Sequence, residues 1–236
     1  MSGKRDADID RFYELFRLLA SVAGQLKPLS FLSAQKNLPN RGVYFFCEEG
    51  ERRRDEPRVV RVGTHGVSAG SKSTLRARLS AHRGSSTGSG NHRGSIFRLH
   101  VGRALLAKEF RLIPTWGVGS VVPAELRLDP SGLADEAHWE KRVSAIIGAM
   151  PVCWVAEEDE ASAASMRGFI ERNAIALLSN RGTSSNPPSS TWLGLQSPRL
   201  EIASSGLWNL KHIDEHHDAK FLDVFERAVL DTVARG

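Results

Sequence analysis

The chain has 236 residues, 41% of them hydrophobic and 25% charged, the balance of a folded globular protein, which excludes a largely disordered one. No run approaches the ~18 apolar residues that span a bilayer, and the polar start through Lys4, Arg5, Asp6, Asp8 and Asp10 lacks the apolar stretch of a secretory leader, so no membrane role and a cytoplasmic location are expected. A net charge of +5 and a sequence pI of about 9.5 leave two readings, an anionic partner or a solvated basic surface.

Ile9, Phe12, Leu15, Phe16, Leu19 and Val22 recur at helical spacing and predict an amphipathic helix over residues 8–24, ending near Gly24. Pro28, Pro39 and the Asn40-Arg41 pair punctuate the way to a first strand over 42–47, Gly42-Val43-Tyr44-Phe45-Phe46-Cys47. A charged turn leads to a second strand over 58–64, and their proximity makes an antiparallel pair the simplest arrangement. Ser73 or Thr74 caps a basic helix in which Leu75 and Leu79 form the buried stripe. Arg78 and His82, spaced i and i+4, project together from the edge of that stripe, where a cleft can form. Cys47 and Cys153 both lie in apolar strand-like segments and read as reduced, buried thiols.

Between Arg52 and Arg111 arginine dominates and acids are sparse after Glu56; the planar guanidinium fork suits phosphate better than an ammonium does. Lys72, Arg76, Arg83 and Arg93 are accordingly read as available to the phosphates of an anionic partner beyond the cleft. The glycine-rich segment 84–94 predicts a mobile loop, 95–110 a helix, and 111–133, with its prolines and glycines, an irregular inserted lobe. A helix over 135–149 carrying Trp139, Val143, Ile146 and Ile147 precedes a third strand over 152–156. The acidic turn 157–160 suits the N-terminus of a long helix reaching about 179. In that helix Ala174, Ile175 and Leu178 follow Glu171 at i+3, i+4 and i+7, so a carboxylate sits on an apolar face. Burial there is costly unless the group is paired or binds a cation, and a salt bridge to Arg167 or Arg172 is the plainer alternative.

Residues 181–206 are rich in Ser, Pro and Gly and lack periodicity. His212, His216 and His217, beside Asp214, Glu215 and Asp218, form either a metal-binding cluster or a solvated helix start. Trp192, Leu193, Trp208 and Leu210 are expected to pack this extension on the core, and a closing helix over 218–234 docks on the core or on a second protomer, so a homodimer is left open.

On these residues the chain resembles the GIY-YIG nuclease family. Gly42-Val43-Tyr44 matches the first signature tripeptide, Arg61-Val62-Gly63 stands in the place of the second, and Leu75-Arg76-Ala77-Arg78-Leu79 matches the helix that carries the catalytic arginine. The resemblance covers roughly residues 40 to 181 and implies an α+β fold: a small, mainly antiparallel three-stranded sheet flanked by helices, with N- and C-terminal helical extensions. The corresponding division is an extension over 1–40, a nuclease core over 41–181 with an insertion near 84–133, and a C-terminal extension over 182–236. The implied site has Tyr44, Arg61, Arg78, His82 and Glu171 as catalytic residues, Glu171 holding one Mg²⁺ or Mn²⁺, and Asn180 as the asparagine after the helix, a role for which Asn186 competes. The implied substrate is DNA, duplex or branched. One signature position departs: Arg61 replaces a tyrosine, so either Tyr44 alone supplies the hydroxyl or the site is altered, with Arg61 as a second phosphate clamp. The alternative reading is a nuclease-like nucleic-acid-binding protein impaired in catalysis.

Overall fold

A computed structural model describes residues 2–22 and 25–235. Its centre is the strand β2 (Gly42–Arg53), whose first half is buried on both faces, as the unbroken apolar run from Val43 to Cys47 requires. A tight turn at Arg54 and Asp55 folds β3 (Glu56–Gly63) back antiparallel, pairing Tyr44 with Gly63 and Phe46 with Arg61. On the other side of β2 runs β4 (Pro151–Ala156), also antiparallel, pairing Tyr44 with Trp154. A two-residue strand β1 (Lys27–Pro28) pairs with β4, giving the order β1-β4-β2-β3. The fold is therefore the expected α+β one, with a fourth, very short strand that two residues are too few to announce in sequence.

Alternation along β2 divides the molecule into two cores. Val43, Phe45 and Cys47 face α1 (Ser2–Ala20), where Phe12 and Phe16 lie. Two later helices, α6 (Met166–Leu178) and α8 (Phe221–Arg235), complete that layer. Tyr44 and Phe46 face the opposite layer, made of α2 (Leu75–Arg83), α3 (Ile96–Lys108) and α5 (Pro130–Ala149). The short helices α4 (Ala124–Arg127) and α7 (Leu200–Ser205) sit in the connections. Helices from both ends of the chain thus cover one face of the sheet. The predicted end of the first helix at Gly24 lies outside the described residues; α1 runs to Ala20.

The edge of β3 is closed by the C-terminal segment. Trp208 N–H donates to Val60 O at 2.7 Å, and the Asn209 amide accepts from Val62 N–H at 3.1 Å while donating to Val62 O at 2.8 Å. A side chain thereby satisfies both backbone groups that an edge residue would otherwise leave open. Trp192 and Trp208 pack edge to face in the same layer, as expected for the extension.

Two expectations need correction, and one open alternative narrows. Segment 84–94 has no regular structure but is tied down, with Ser85 N–H donating to Ser89 O at 2.7 Å and Gly90 lying too close to the Arg98 guanidinium to admit a side chain. The helix carrying Glu171 begins later than the acidic turn, at Met166, because Ser165 caps it and Asp159 accepts from Met166 N–H. Among the described residues no group of three or more His, Cys, Asp or Glu is placed to hold a metal: His212 pairs with Glu215 at 2.8 Å and His217 with Asp8 at 3.1 Å. Both cysteines are free and buried, and burial pushes the Cys47 thiol up to about 12. Among the described residues no helix is long and apolar enough to cross a membrane.

Candidate active site

The residues singled out on β2, β3, α2 and α6 meet at the C-terminal end of β3. Thr74 caps α2, accepting from Ala77 N–H, and Leu75 and Leu79 bury the helix against the sheet. That packing drives His82 fully into the interior, where its Nε2 lies 2.8 Å from Tyr44 Oη and its Nδ1 2.8 Å from Ser95 Oγ. Burial, with Arg61, Arg78 and Arg98 around it, holds the imidazole well below its ordinary value and so neutral. In the tautomer that gives the Nδ1 proton to Ser95, Nε2 accepts the Tyr44 hydroxyl. Gly63 is required here: a methyl group on it would collide with the Tyr44 ring and hydroxyl across the strand pair.

Glu171 approaches from the other layer. Its helix α6 packs on the face of the sheet opposite α2, and the side chain reaches the point where β3 stops, with Thr64 N–H donating to Oε1 at 3.2 Å. The Thr64 hydroxyl is itself anchored on Gly42 O at 2.9 Å, at the start of the tyrosine strand. Burial pushes the Glu171 carboxyl above its ordinary value, against the opposing pull of Arg61, the Thr64 N–H bond, His212 and Arg78. Neither sequence neighbour neutralises it: Arg172 pairs with Glu215, and Arg167 with Asp159 at 3.3 Å. Arg61 and Arg78 act on both Glu171 and His82, and Tyr44 joins these four through its contact with His82.

The two arginines differ in what else they hold. Arg61 is buried, its guanidinium 4.6 Å over the Phe97 ring with one nitrogen donating to Trp208 O at 2.7 Å. It is therefore held in the wall of the site, with its Nε, like that of Arg78, buried without a partner. The half-buried Arg78 guanidinium makes no hydrogen bond or ion pair among the described residues, and its Nε is buried without a partner. A half-buried guanidinium with an unsatisfied Nε, acting on a carboxylate that burial makes costly to charge, is the arrangement that an anionic oxygen and a cation together would complete.

Other basic residues are engaged elsewhere. The Arg93 side chain is buried and grips Glu136 with two bonds of 2.8 Å, so it ties the segment after α2 to α5 and is withdrawn from any phosphate. Arg76 donates to the carbonyls of Leu32 and Gln35 instead of pointing outward. Asn180 spans Asn186 and Ser205, accepting from Asn186 N–H at 2.9 Å, and Asn186 donates to Leu178 O at 3.2 Å; both lock the turn after α6. Lys72 is exposed and Arg83 half-buried at the end of α2, donating to Gly84 O at 3.3 Å.

Three participants went unread in sequence. Ser95 orients His82, and a serine just before a predicted helix is a cap signal that could have placed it there. Arg98 donates to His82 O at 2.9 Å and to Glu140 and Ser144, pinning the end of α2; its partner lies 42 residues away, which no local pattern shows. His65 directly follows the Arg61-Val62-Gly63-Thr64 run, and its ring nitrogen Nδ1 lies 3.0 Å from Ser73 O while Nε2 is buried without a partner. Burial lowers it to about 4, against the Ser73 bond, with Arg167, Arg41 and Arg78 acting in the same direction as burial.

The residues present fit a hard divalent ion. Glu171 offers a carboxylate that accepts a single hydrogen bond among the described residues, from Thr64 N–H, and is made costly by burial. One protein carboxylate suits Mg²⁺, which keeps most of its waters and takes further ligands from substrate phosphates. A family model described as GIY-YIG domain matches residues 3–235 of the chain. No curated protein and no solved structure matches it.

Proposed function

The chain belongs to the GIY-YIG domain family, a family of nucleases that act on nucleic acid, and from that premise we propose that it is a metal-dependent endonuclease hydrolysing DNA phosphodiester bonds at the end of β3. The observation that carries the proposal is the pairing of an unpartnered Arg78 guanidinium with the Glu171 carboxylate, both under the field of Arg61. Glu171 would hold the single Mg²⁺ or Mn²⁺ ion, which when bound supplies Lewis acidity at a scissile phosphate oxygen. Arg78 donates to the non-bridging oxygens of that phosphate and offsets the charge that builds on them in the transition state. Arg61 keeps the wall of the site cationic while its own bonds hold it still. Neutral His82 fixes the Tyr44 hydroxyl, and the pair positions the attacking water as general base. Duplex or branched DNA as substrate and a cytoplasmic location belong to the same proposal.

A second reading, a nucleic-acid-binding protein impaired in catalysis, is favoured by two features: arginine at a signature tyrosine position, and the complete burial of Tyr44 and His82. Supercoiled plasmid incubated with the purified chain separates the two. Conversion to nicked and linear forms in Mg²⁺ or Mn²⁺, abolished by EDTA, is the expected result. Salt-sensitive DNA binding with no conversion in either metal establishes the impaired binder instead.

A further inference from the structure

Helix α3 starts at the catalytic pair, through Ser95, and ends in the inserted lobe with the sequence Lys108-Glu109-Phe110-Arg111-Leu112. Its end is a Schellman motif: Phe110 N–H donates to Ala107 O at 3.2 Å and Arg111 N–H to Leu106 O at 3.0 Å. The residue at the left-handed position of that motif is Phe110, at φ 52°, where glycine is the unstrained choice and a bulky aromatic is an outlier. The strain gains nothing in packing, because Phe110 is 98% exposed and Leu112 is 83% exposed. A strained, solvent-facing aromatic is a feature kept for contact with something else.

Charge identifies that partner. From Pro57 to Ala124 the chain carries one acidic residue, Glu109, and Glu109 is held by Arg142 at 2.6 Å. Lys108 and Arg111 flank the apolar tip, both exposed. An apolar point bracketed by cations matches the wedges that proteins insert between base steps while neighbouring cations take the phosphates. At 1.5 Å per residue, α3 sets the tip about 20 Å from Ser95, a length equal to the rise of about six base pairs of duplex.

We propose that Phe110 and Leu112 form a wedge that enters a base step of the DNA duplex about six base pairs from the scissile phosphate, and that duplexes with an already weakened step (a nick, mismatch or branch point) are the preferred substrate. The proposal deepens the nuclease reading and rests on DNA being its substrate. The test uses the full chain in EDTA, where nothing is cut, with duplexes carrying 2-aminopurine at a nick or in continuous sequence. Wild type is expected to bind the nicked duplex with a rise in 2-aminopurine fluorescence. Phe110→Gly is expected to lose the rise and about tenfold in affinity, the scale of one base–aromatic stack. Its melting temperature should increase by about 1–4 °C as the backbone strain is released. Phe110→Trp should restore the rise, and Leu112→Ser should weaken it.

Equal affinity and an unchanged signal for wild type and Phe110→Gly would overturn the wedge. So would a concentration-dependent dimer mass, lost in Phe110→Gly while DNA binding is untouched, which would make the tip a contact between copies. Metal-dependent plasmid cleavage without any 2-aminopurine response removes the wedge and leaves the nuclease; a response without cleavage does the reverse.

Discussion

Glu171→Gln is expected to reduce Mg²⁺-dependent plasmid cleavage by on the order of 10²-fold or more, because it removes the carboxylate proposed to hold the ion and leaves the shape of the side chain unchanged. The amide can still accept from Thr64 N–H, so the loss is not one of folding. Stability should move the other way. Burial raises the Glu171 carboxyl, so in metal-free protein the neutral form is favoured by folding; that contribution is present at low pH and lost as pH rises through the raised value. In EDTA at neutral pH the variant should therefore melt above wild type. Added Mg²⁺ and DNA should raise the melting temperature of wild type and not of the variant. Protons compete with the proposed ion for the same carboxylate, so wild-type cleavage should fall on the acid side as Glu171 takes up its proton, and raising the Mg²⁺ concentration should move that limb to lower pH. Thermal scans and a pH–rate profile at two metal concentrations check both signs.

Arg78→Ala is the second large effect, expected to lower the cleavage rate by about 10²–10³-fold, as removal of one preorganised transition-state donor does. Arg78→Lys should recover only part of the loss, since an ammonium keeps the charge and loses the planar fork. The prediction is sharpened by what Arg78 does not do. It makes no hydrogen bond or ion pair among the described residues, whereas Arg58, Arg93 and Arg98 each hold a buried carboxylate. Alanine at 78 should leave the melting temperature near that of wild type, and alanine at 98 should not. Single-turnover cleavage measured alongside thermal scans separates the two kinds of arginine. A rate loss at 78 that tracked a loss of stability would remove it from the chemistry.

The strands and helices carrying the site were legible because each announces itself within one window. An apolar run bounded by Gly42 reads as a strand, Leu75 and Leu79 as a buried stripe, and Glu171 as a charge misplaced on an apolar face. The meeting of α2 and α6 at the end of β3 was legible only through the family resemblance, since the two helices lie on opposite faces of the sheet. The fates of the remaining arginines were not legible at all. Arg93 and Glu136 are 43 residues apart, and Arg76 finds its carbonyls in a turn more than 40 residues earlier, so several cations of a stretch that looks uniformly basic along the chain are engaged inside the fold. Arg61 shows the same limit: its place on β3 was readable, while its capture by Trp208 O depends on a segment 147 residues later that also seals the strand edge.

Glu171 as the one protein ligand of a single divalent ion is the point on which the whole site turns. Counting bound Mn²⁺ by electron paramagnetic resonance, for wild type and Glu171→Gln each mixed with a short duplex, tests it without requiring turnover. One ion per wild-type chain and none on the variant is the predicted result. Equal Mn²⁺ binding by the two proteins would contradict it.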